Sequence, residues 1–250
     1  MRIYDQMQER TSILVKQNAS KTGLRINKEK TKLMRINTNN INSIEIDNTQ
    51  LENVTSFTYL GSVVNHSGGT EVDVKSRLAK AYTAFGMLRK VWKSKYITIK
   101  TKLRIFNSNV KSVLLYGSET WSLTMANRKK LQSFVNRCLR NILQIWWPNK
   151  ITNEDLWRRT NQIPIPQEIK KRKWKWIGHT LRKGRSNITC QALQWTPQGK
   201  RKRGRPRLTW RRVLEKEMAE KGHNWNTIHQ LAKDREKWRR IVCGLCSTGE

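Results

Sequence analysis

Basic side chains with tryptophans between them are the residues in this sequence best suited to chemistry. The segment Lys170 to Trp176 contains Lys170, Lys171, Arg172, Lys173, Trp174, Lys175 and Trp176, and Trp195 and Trp210 follow in the same acid-free region. Proteins that bind single strands combine a positive groove with aromatic rings on which bases stack. The alternative is that the indoles anchor the cores of small helices, because tryptophan is usually largely buried.

A second basic run has an Arg-Gly-Arg-Pro core. It comprises Lys200, Arg201, Lys202, Arg203, Gly204, Arg205, Pro206 and Arg207. This is the sequence of an AT-hook, in which glycine and proline keep the backbone slim so that arginines enter the narrow minor groove of A·T tracts. A nuclear-import signal or a general phosphate-binding run has the same composition. All three interpretations remain open from the sequence.

Two histidines and two cysteines near the end of the chain have spacings found in metal ligands. They are His223 and His229, followed by Cys243 and Cys246. Zinc is one interpretation. Unpaired thiols near the end of the chain are the alternative, and the favoured one, because the order is reversed from that of a zinc finger.

Ordinary catalytic sets are missing from the sequence. It has no Gly-rich phosphate loop, no Gly-x-Ser-x-Gly and no His-Glu-x-x-His. Acidic residues are absent between Glu119 and Glu154 and again between Glu168 and Glu215. Phosphoryl transfer by two metal ions needs clustered carboxylates. We therefore expect no cofactor and no small-molecule substrate for this chain.

The elements that must position these residues follow from the hydrophobic pattern. Alternating residues predict short strands at 23–27, 31–37, 43–47 and 57–61, after a helix over the first 22 residues. From residue 70 the period is helical, with apolar stripes at 74–92, 99–113 and 131–145, and with Thr98 and Thr124 as N-caps. Further helices are predicted at 167–183, 208–221 and 225–241. Cys138 lies on an apolar stripe and is expected in the core.

Composition restricts the partners and the compartment. The 250 residues include 51 Lys and Arg against 18 Asp and Glu, which gives a formal net charge of +33. Such a chain repels itself unless a polyanion compensates, and nucleic acid is a better candidate than an anionic membrane surface. The four cysteines are scattered, and no segment resembles a signal peptide or a membrane span. These features predict an intracellular protein, and the basic runs favour the nucleus.

Several segments together resemble the C-terminal part of the reverse transcriptase of non-LTR (LINE-type) retrotransposons. They occur in family order and span nearly the whole chain. They are Gly23-Leu24-Arg25-Ile26-Asn27-Lys28-Glu29-Lys30-Thr31-Lys32, Phe57-Thr58-Tyr59-Leu60-Gly61-Ser62, Leu114-Leu115-Tyr116-Gly117-Ser118-Glu119-Thr120-Trp121, Trp176-Ile177-Gly178-His179, and the Arg203–Arg207 run with Leu208-Thr209-Trp210.

The resemblance implies a role for each part. Lys30 or Lys32 would be the palm lysine near the departing pyrophosphate. Residues Phe57, Tyr59, Leu60 and Gly61 would form the primer grip, which seats the primer 3′ end. The resemblance further implies thumb helices that follow the duplex backbone, and a basic C-terminal segment that engages template RNA or target DNA.

The complete family enzyme binds catalytic Mg²⁺ through an Asp-Asp pair that would lie just before Tyr4. Asp5 alone does not replace such a pair. We therefore expect a truncated chain that lacks the fingers and most of the palm and has no polymerase activity by itself.

The expected fold is α+β and mostly α. A residual antiparallel palm with the primer-grip hairpin would occupy residues 1–66, a helical thumb 67–163, and a basic, Trp-containing nucleic-acid-binding module 164–250. The expected function is nucleic-acid binding by an incomplete reverse transcriptase. One alternative is the thumb and primer grip of an active RNA-directed DNA polymerase completed by a separate palm and fingers segment, and a second is an AT-hook-type module that tethers DNA.

Overall fold

The computed structural model of the chain describes residues 8–10, 15–36, 42–184, 186–195, 204 and 209–246. The fold is α+β and mostly α, as predicted. Two compact units divide the chain at Asp73, one formed by residues 1–73 and the other by residues 74–250. Among the described residues, no helix is long and apolar enough to cross a membrane.

Unit 1 consists of short strands around a small apolar cluster of Ile44, Ile46 and Leu51. Its described elements are α1 (Lys16–Lys21), β1 (Lys32–Leu33), β2 (Glu45–Ile46), β3 (Thr49–Gln50), β4 (Glu52–Asn53), β5 (Ser56–Tyr59) and β6 (Ser62–Asn65). The pairs β2–β3 and β5–β6 are antiparallel, as predicted, whereas β1 and β4 pair in parallel. Asp47 and Asn48 have positive φ in the turn between β2 and β3, which suits a two-residue hairpin.

The strand predicted at residues 23–27 is wrong, since the structure has neither helix nor strand there. The end of α1 takes up the first part of this segment, because Gly23 N and Leu24 N donate to the carbonyls of Ser20 and Ala19. A turn takes up the rest. Asn27 Oδ1 accepts from Lys30 N at 3.0 Å, and the hydroxyl of Thr31 donates to Asn27 O.

Unit 2 is helical. Its first helix begins just before the division between the units. The described elements are α2 (Glu71–Met87), α3 (Arg89–Lys93), α4 (Ile99–Ile105), a π-helical stretch (Phe106–Lys111), α5 (Ser112–Leu114), a 3₁₀ turn (Ser118–Thr120), α6 (Met125–Ile142), α7 (Asn153–Thr160), α8 (Ile165–Leu181), α9 (Ile188–Gln194), α10 (Trp210–Ala219), α11 (Trp225–Lys233) and α12 (Arg235–Cys246). The predicted N-caps are confirmed. The hydroxyls of Thr98 and Thr124 accept from Thr101 N and Asn127 N.

Helix α8 takes part in both hydrophobic cores of unit 2. Its first turns place Ile165 and Ile169 in a cluster with helices α2 to α7, and its later turns place Trp174 and Ile177 in a cluster with α9 to α12. Residues 74–163 of the predicted thumb and the predicted C-terminal module therefore lie in one compact unit, whereas residues 67–73 belong to the other. Cys138 is buried in the first cluster, as predicted, and burial raises the pKa of its thiol to about 12.

The helix predicted over 225–241 is two helices, because Asp234 interrupts it. Its carboxylate accepts hydrogen bonds from Glu236 N and Lys237 N and caps the start of α12. These backbone donors, Lys237 N first, lower the pKa of Asp234. A side chain that bonds to nearby backbone groups in this way favours a helix start over a continuous helix.

Gly178 lets α8 and α12 approach closely. The buried Trp238 indole crosses α8 at this glycine, and its Nε1 donates to Trp174 O at 3.2 Å. A Cβ at position 178 would lie 2.0 Å from Trp238 Nε1 and 2.3 Å from Cε2. The glycine of the Trp-Ile-Gly-His segment is therefore required by packing.

We expect Gly178→Ala to lower the free energy of unfolding by about 2 kcal/mol, because the added methyl group overpacks a filled core. Gly86→Ala is the matched control, since Gly86 lies in α2 and a Cβ there has no atom within 4 Å. The control should raise stability by about 1 kcal/mol through helix propensity. Chemical denaturation followed by circular dichroism measures both. Equal changes in the two variants would contradict the packing argument.

Candidate nucleic-acid interface

Helix α8 carries the first predicted basic segment and divides its side chains between two sides. Pro164 precedes the helix and Pro166 lies in its first turn, where a missing N–H costs nothing. Ile165, Ile169, Lys173, Trp174, Ile177 and Leu181 are buried, at the spacing of an amphipathic helix. Lys175 and His179 are exposed on the other side.

Two of the predicted binding residues, Lys173 and Trp174, are internal. Lys173 Nζ lies 2.7 Å from Glu217 Oε1, and Trp174 Nε1 donates to Glu217 Oε2 at 2.6 Å. Burial lowers the pKa of Lys173, and Glu217 opposes this effect. Because both side chains are buried and hydrogen-bonded to α10, they serve packing and do not face a ligand.

Other basic residues of the segment line a polar cleft of about 540 Å³. Its lining comprises Asn107, Lys111, Asn161, Gln162, Ile163, Glu168, Lys171, Arg172 and Lys175. Lys111 Nζ contacts Glu168 Oε2 and donates to Gln162 Oε1 at 2.8 Å. Arg172 Nη2 lies 3.4 Å from Glu168 Oε1. The lining thus contains four cations and one carboxylate, which is an excess of three positive charges.

The cleft suits phosphate groups better than a neutral ligand. Lys171 and Lys175 are four residues apart, so they are neighbours on one face of α8. The amides of Asn107, Asn161 and Gln162 add further donors at the rim. A cleft with an excess of ammonium and guanidinium groups attracts the phosphates of a nucleic acid, whatever its sequence.

Sequence reasoning missed Lys111, Asn107 and Gln162. Lys111 lies next to Val110 within the apolar stripe of residues 99–113, and it is buried. A lysine inside an apolar stripe is a signal for a buried ion pair, because an unpaired buried charge is too costly. Nothing in the sequence indicates that the partner is Glu168.

The tryptophans of the basic region differ in exposure. Trp176 and Trp210 pack edge to face with centroids 6.1 Å apart, and Trp210 Nε1 donates to Glu119 O at 2.9 Å. Trp195 is exposed after α9. The interpretation as core anchors therefore holds for Trp174, and in part for Trp176 and Trp210, whereas Trp195 remains accessible to a ligand.

The AT-hook-like run lies outside the described residues except for Gly204. This applies to Lys200, Arg201, Lys202, Arg203, Arg205 and Arg207. The structure does describe the residues that flank the run in the sequence, up to Trp195 on one side and from Thr209 on the other. Arg211 Nη1 donates to Gln194 O at 3.1 Å, so the chain before and after the run is held together.

The predicted primer-grip residues lie on a hairpin. Phe57 and Tyr59 belong to β5, which pairs with β6 from Ser56↔Asn65 to Tyr59↔Ser62. Leu60 and Gly61 form the turn with φ of 48° and 81°, and Phe57, Tyr59 and Leu60 are exposed. A leucine with positive φ is uncommon and costs conformational energy. An exposed apolar tip on a strained turn is available for contact with a ligand.

The two candidate palm lysines have different surroundings. Lys32 forms an ion pair with Glu52 across the β1–β4 pair. Lys30 is exposed in the turn that Asn27 organises.

The candidate metal ligands are not brought together as a set. His223 and His229 both line a pocket of about 930 Å³ with Trp225, Leu193 and Leu231, whereas Cys243 is exposed on α12. The side chain of Cys246 is not described. Within the described part of the chain, no group of three or more His, Cys, Asp or Glu can hold a metal ion. Zinc therefore gains no support from the described residues.

Comparison with known proteins gives a similarity over most of the chain. The chain is 28% identical over 242 residues to a putative uncharacterized transposon-derived protein of Caenorhabditis elegans. The aligned region covers 90% of this chain and 85% of that protein. A family model described as a domain of unknown function (DUF6451) matches residues 84–116. No solved structure matches. The similarity indicates a relation to transposon-derived sequence.

We expect Glu217→Gln to lower the free energy of unfolding by about 3 kcal/mol, because Lys173 keeps a buried charge without its carboxylate. The variant also lowers the pKa of Lys173 further. The unfolded chain then binds more protons than the folded one between this pKa and the ordinary 10.5, so stability should rise with pH in that window.

Glu220→Gln is the matched control, because Glu220 pairs with Lys216 at 4.0 Å on the exposed side of α10. It should change stability little. Urea denaturation at several alkaline pH values compares the two variants. A Glu217→Gln variant as stable as the control, with the same pH dependence, would show that Lys173 is not a buried charge.

Proposed function

We propose that this chain binds nucleic acid without strong sequence preference, as the primer-grip, thumb and basic C-terminal part of a non-LTR retrotransposon reverse transcriptase. The observation that carries the proposal is the cleft beside α8, whose lining combines Lys111, Lys171, Arg172 and Lys175 with the single carboxylate of Glu168. No acid occurs in the sequence between Glu168 and Glu215, and Glu168 is the one acid among the residues that line the cleft, against four basic residues.

In this proposal the cleft and the net charge of the whole chain have different roles. The net charge of +33 attracts any polyanion and speeds encounter. The cleft supplies fixed contacts, because Lys111 and Arg172 are held by Glu168 while Lys171 and Lys175 present their ammonium groups to a phosphate. Contacts of this kind fix the position of a strand and carry no base information.

Two observations support the retrotransposon part of the proposal. The Caenorhabditis elegans relative is described as transposon-derived. The segment that resembles a primer grip folds as the exposed β5–β6 hairpin, which is the form the family role requires. The chain has no adjacent pair of aspartates for Mg²⁺, so we propose binding and not polymerisation by this chain alone. Its site of action would be the nucleus.

The cleft predicts a specific change in salt dependence. We expect the double variant Lys171→Gln, Lys175→Gln to bind a labelled duplex more weakly and with a log K against log salt slope that is less negative by about 2. The physical reason is that each lost phosphate contact releases one counterion fewer. Fluorescence anisotropy titrations at several salt concentrations measure the slope for wild type and variant.

The double variant Lys221→Gln, Lys233→Gln is the matched control. It removes the same charge from exposed positions at the end of α10 and on α11. Its slope should stay close to that of the wild type. Equal slopes for the two double variants would mean that the cleft binds phosphates no better than the rest of the basic surface. That result would overturn its role in the proposal.

A second candidate function is DNA tethering through the Arg203–Arg207 run. The hydrogen bond from Arg211 to Gln194 O favours this function, because it joins the chain just before the run to the chain just after it. Minor-groove arginines prefer A·T-rich duplex, since the guanine amino group obstructs the groove floor.

We expect Arg203→Ala with Arg205→Ala to remove a preference for A·T-rich over G·C-rich duplex. Lys171→Gln with Lys175→Gln should instead weaken both duplexes about equally. Competition between the two duplexes for the protein measures the preference. A wild-type protein that binds them with the same affinity would exclude the tethering function.

A further inference from the structure

Tyr96, Trp147 and Trp146 are the most exposed aromatic side chains between residues 74 and 163. Tyr96 is 99% exposed, Trp147 is 78% exposed and Trp146 is 57% exposed. Tryptophan is highly buried on average, so two adjacent indoles at the surface need an explanation. Exposed apolar groups that cluster together commonly mark a binding surface.

Hydrogen bonds bring together the starts of the two connections that carry these side chains. The carbonyl of Trp92, in the last turn of α3, accepts from Lys102 Nζ at 2.9 Å and from Gln144 Nε2 at 3.3 Å. Tyr96 follows Trp92 by four residues, and Trp146 follows Gln144 by two. The connection after α3 and the connection after α6 therefore start within hydrogen-bonding distance of each other.

This aromatic end, defined as Tyr96, Trp146 and Trp147, lies in a positive field. Exposed lysines lie at the end of α3 (Lys93), on the two connections (Lys95 and Lys150) and near the start of α4 (Lys100). Lys150 Nζ lies 4.6 Å from the centroid of the Trp147 ring. The sequence has no acid between Asp73 and Glu119 or between Glu119 and Glu154.

We propose that the aromatic end binds single-stranded nucleic acid by stacking unpaired bases on its rings. The lysines contact the phosphates of the same strand, as in sequence-tolerant single-strand binders. The bases of a duplex are already stacked on one another, so a duplex cannot use these rings in this way. A membrane surface fits less well, since an interfacial segment needs a continuous apolar face and here lysines interrupt the rings.

The site is separate from the cleft beside α8, and it rests on the proposed function only in that both require a nucleic acid. It was not evident from the Trp146-Trp147 pair in the sequence, because an indole pair after an amphipathic helix also suits a core. Exposure distinguishes the two cases.

The test compares a short thymidine homopolymer with a duplex of equal length. We expect Trp146→Ala with Trp147→Ala to weaken binding of the homopolymer about tenfold or more, and to leave duplex binding unchanged within about twofold. Trp146→Phe with Trp147→Phe should restore most of the single-strand affinity, because phenylalanine still stacks. Met87→Ala with Ile188→Ala removes exposed apolar side chains without aromatic rings and should change neither affinity.

The outcomes separate this inference from the proposed function. If the Trp146 and Trp147 alanine variant binds single strand and duplex equally more weakly, or neither more weakly, the stacking site is overturned. A less negative salt slope in the Lys171 and Lys175 variant would still support the cleft. Binding to vesicles of phosphatidylserine that the Trp146 and Trp147 alanine variant abolishes, without any loss of single-strand binding, also overturns it in favour of a membrane contact. A wild-type protein that binds neither nucleic acid overturns both proposals.

Discussion

Two buried ion pairs join helix α8 to its neighbours, next to the two hydrophobic cores in which α8 takes part. Lys111 in the π-helical stretch pairs with Glu168, and Lys173 pairs with Glu217 of α10. Basic residues outnumber acids almost threefold, so each carboxylate used inside the protein leaves more uncompensated cations at the surface. Neutralising the interior therefore concentrates positive charge outside, on the side where Lys171 and Lys175 lie.

The elements that depend on local pattern were predictable from the sequence. The apolar stripes of α2 and α6 and the caps at Thr98 and Thr124 follow from spacing, and the strand predicted at 57–61 overlaps β5. The hairpin that β5 forms with β6 was implied only by the family resemblance. The parallel pairing of β1 with β4 did not follow, because strands of two residues contain too little pattern to specify a partner. The interruption at Asp234 was missed because an aspartate in a helical stripe looks the same whether it caps a helix or faces solvent.

The candidate interface was predictable in composition and not in geometry. A run of basic residues with tryptophans locates α8, but nothing in the run tells which members face inward. Lys173 and Trp174 are buried because both reach Glu217, which is more than forty residues away in the chain. The cleft likewise needs Lys111 and Gln162 from other elements. Whether a charged residue faces inward depends on partners that are distant in the sequence, and a hydrophobic pattern does not identify those partners.

The π-helical stretch Phe106–Lys111 has a consequence for how this chain is aligned with its relatives. A π-helical turn amounts to one extra residue inserted into an α-helix, so a relative with a plain helix here would need a one-residue gap between Ile105 and Ser112. Without that extra residue the following turn would be rotated by about 100°. The basic residue matching Lys111 would then point away from Glu168, and the indel alone would separate chains that can form this cleft from chains that cannot.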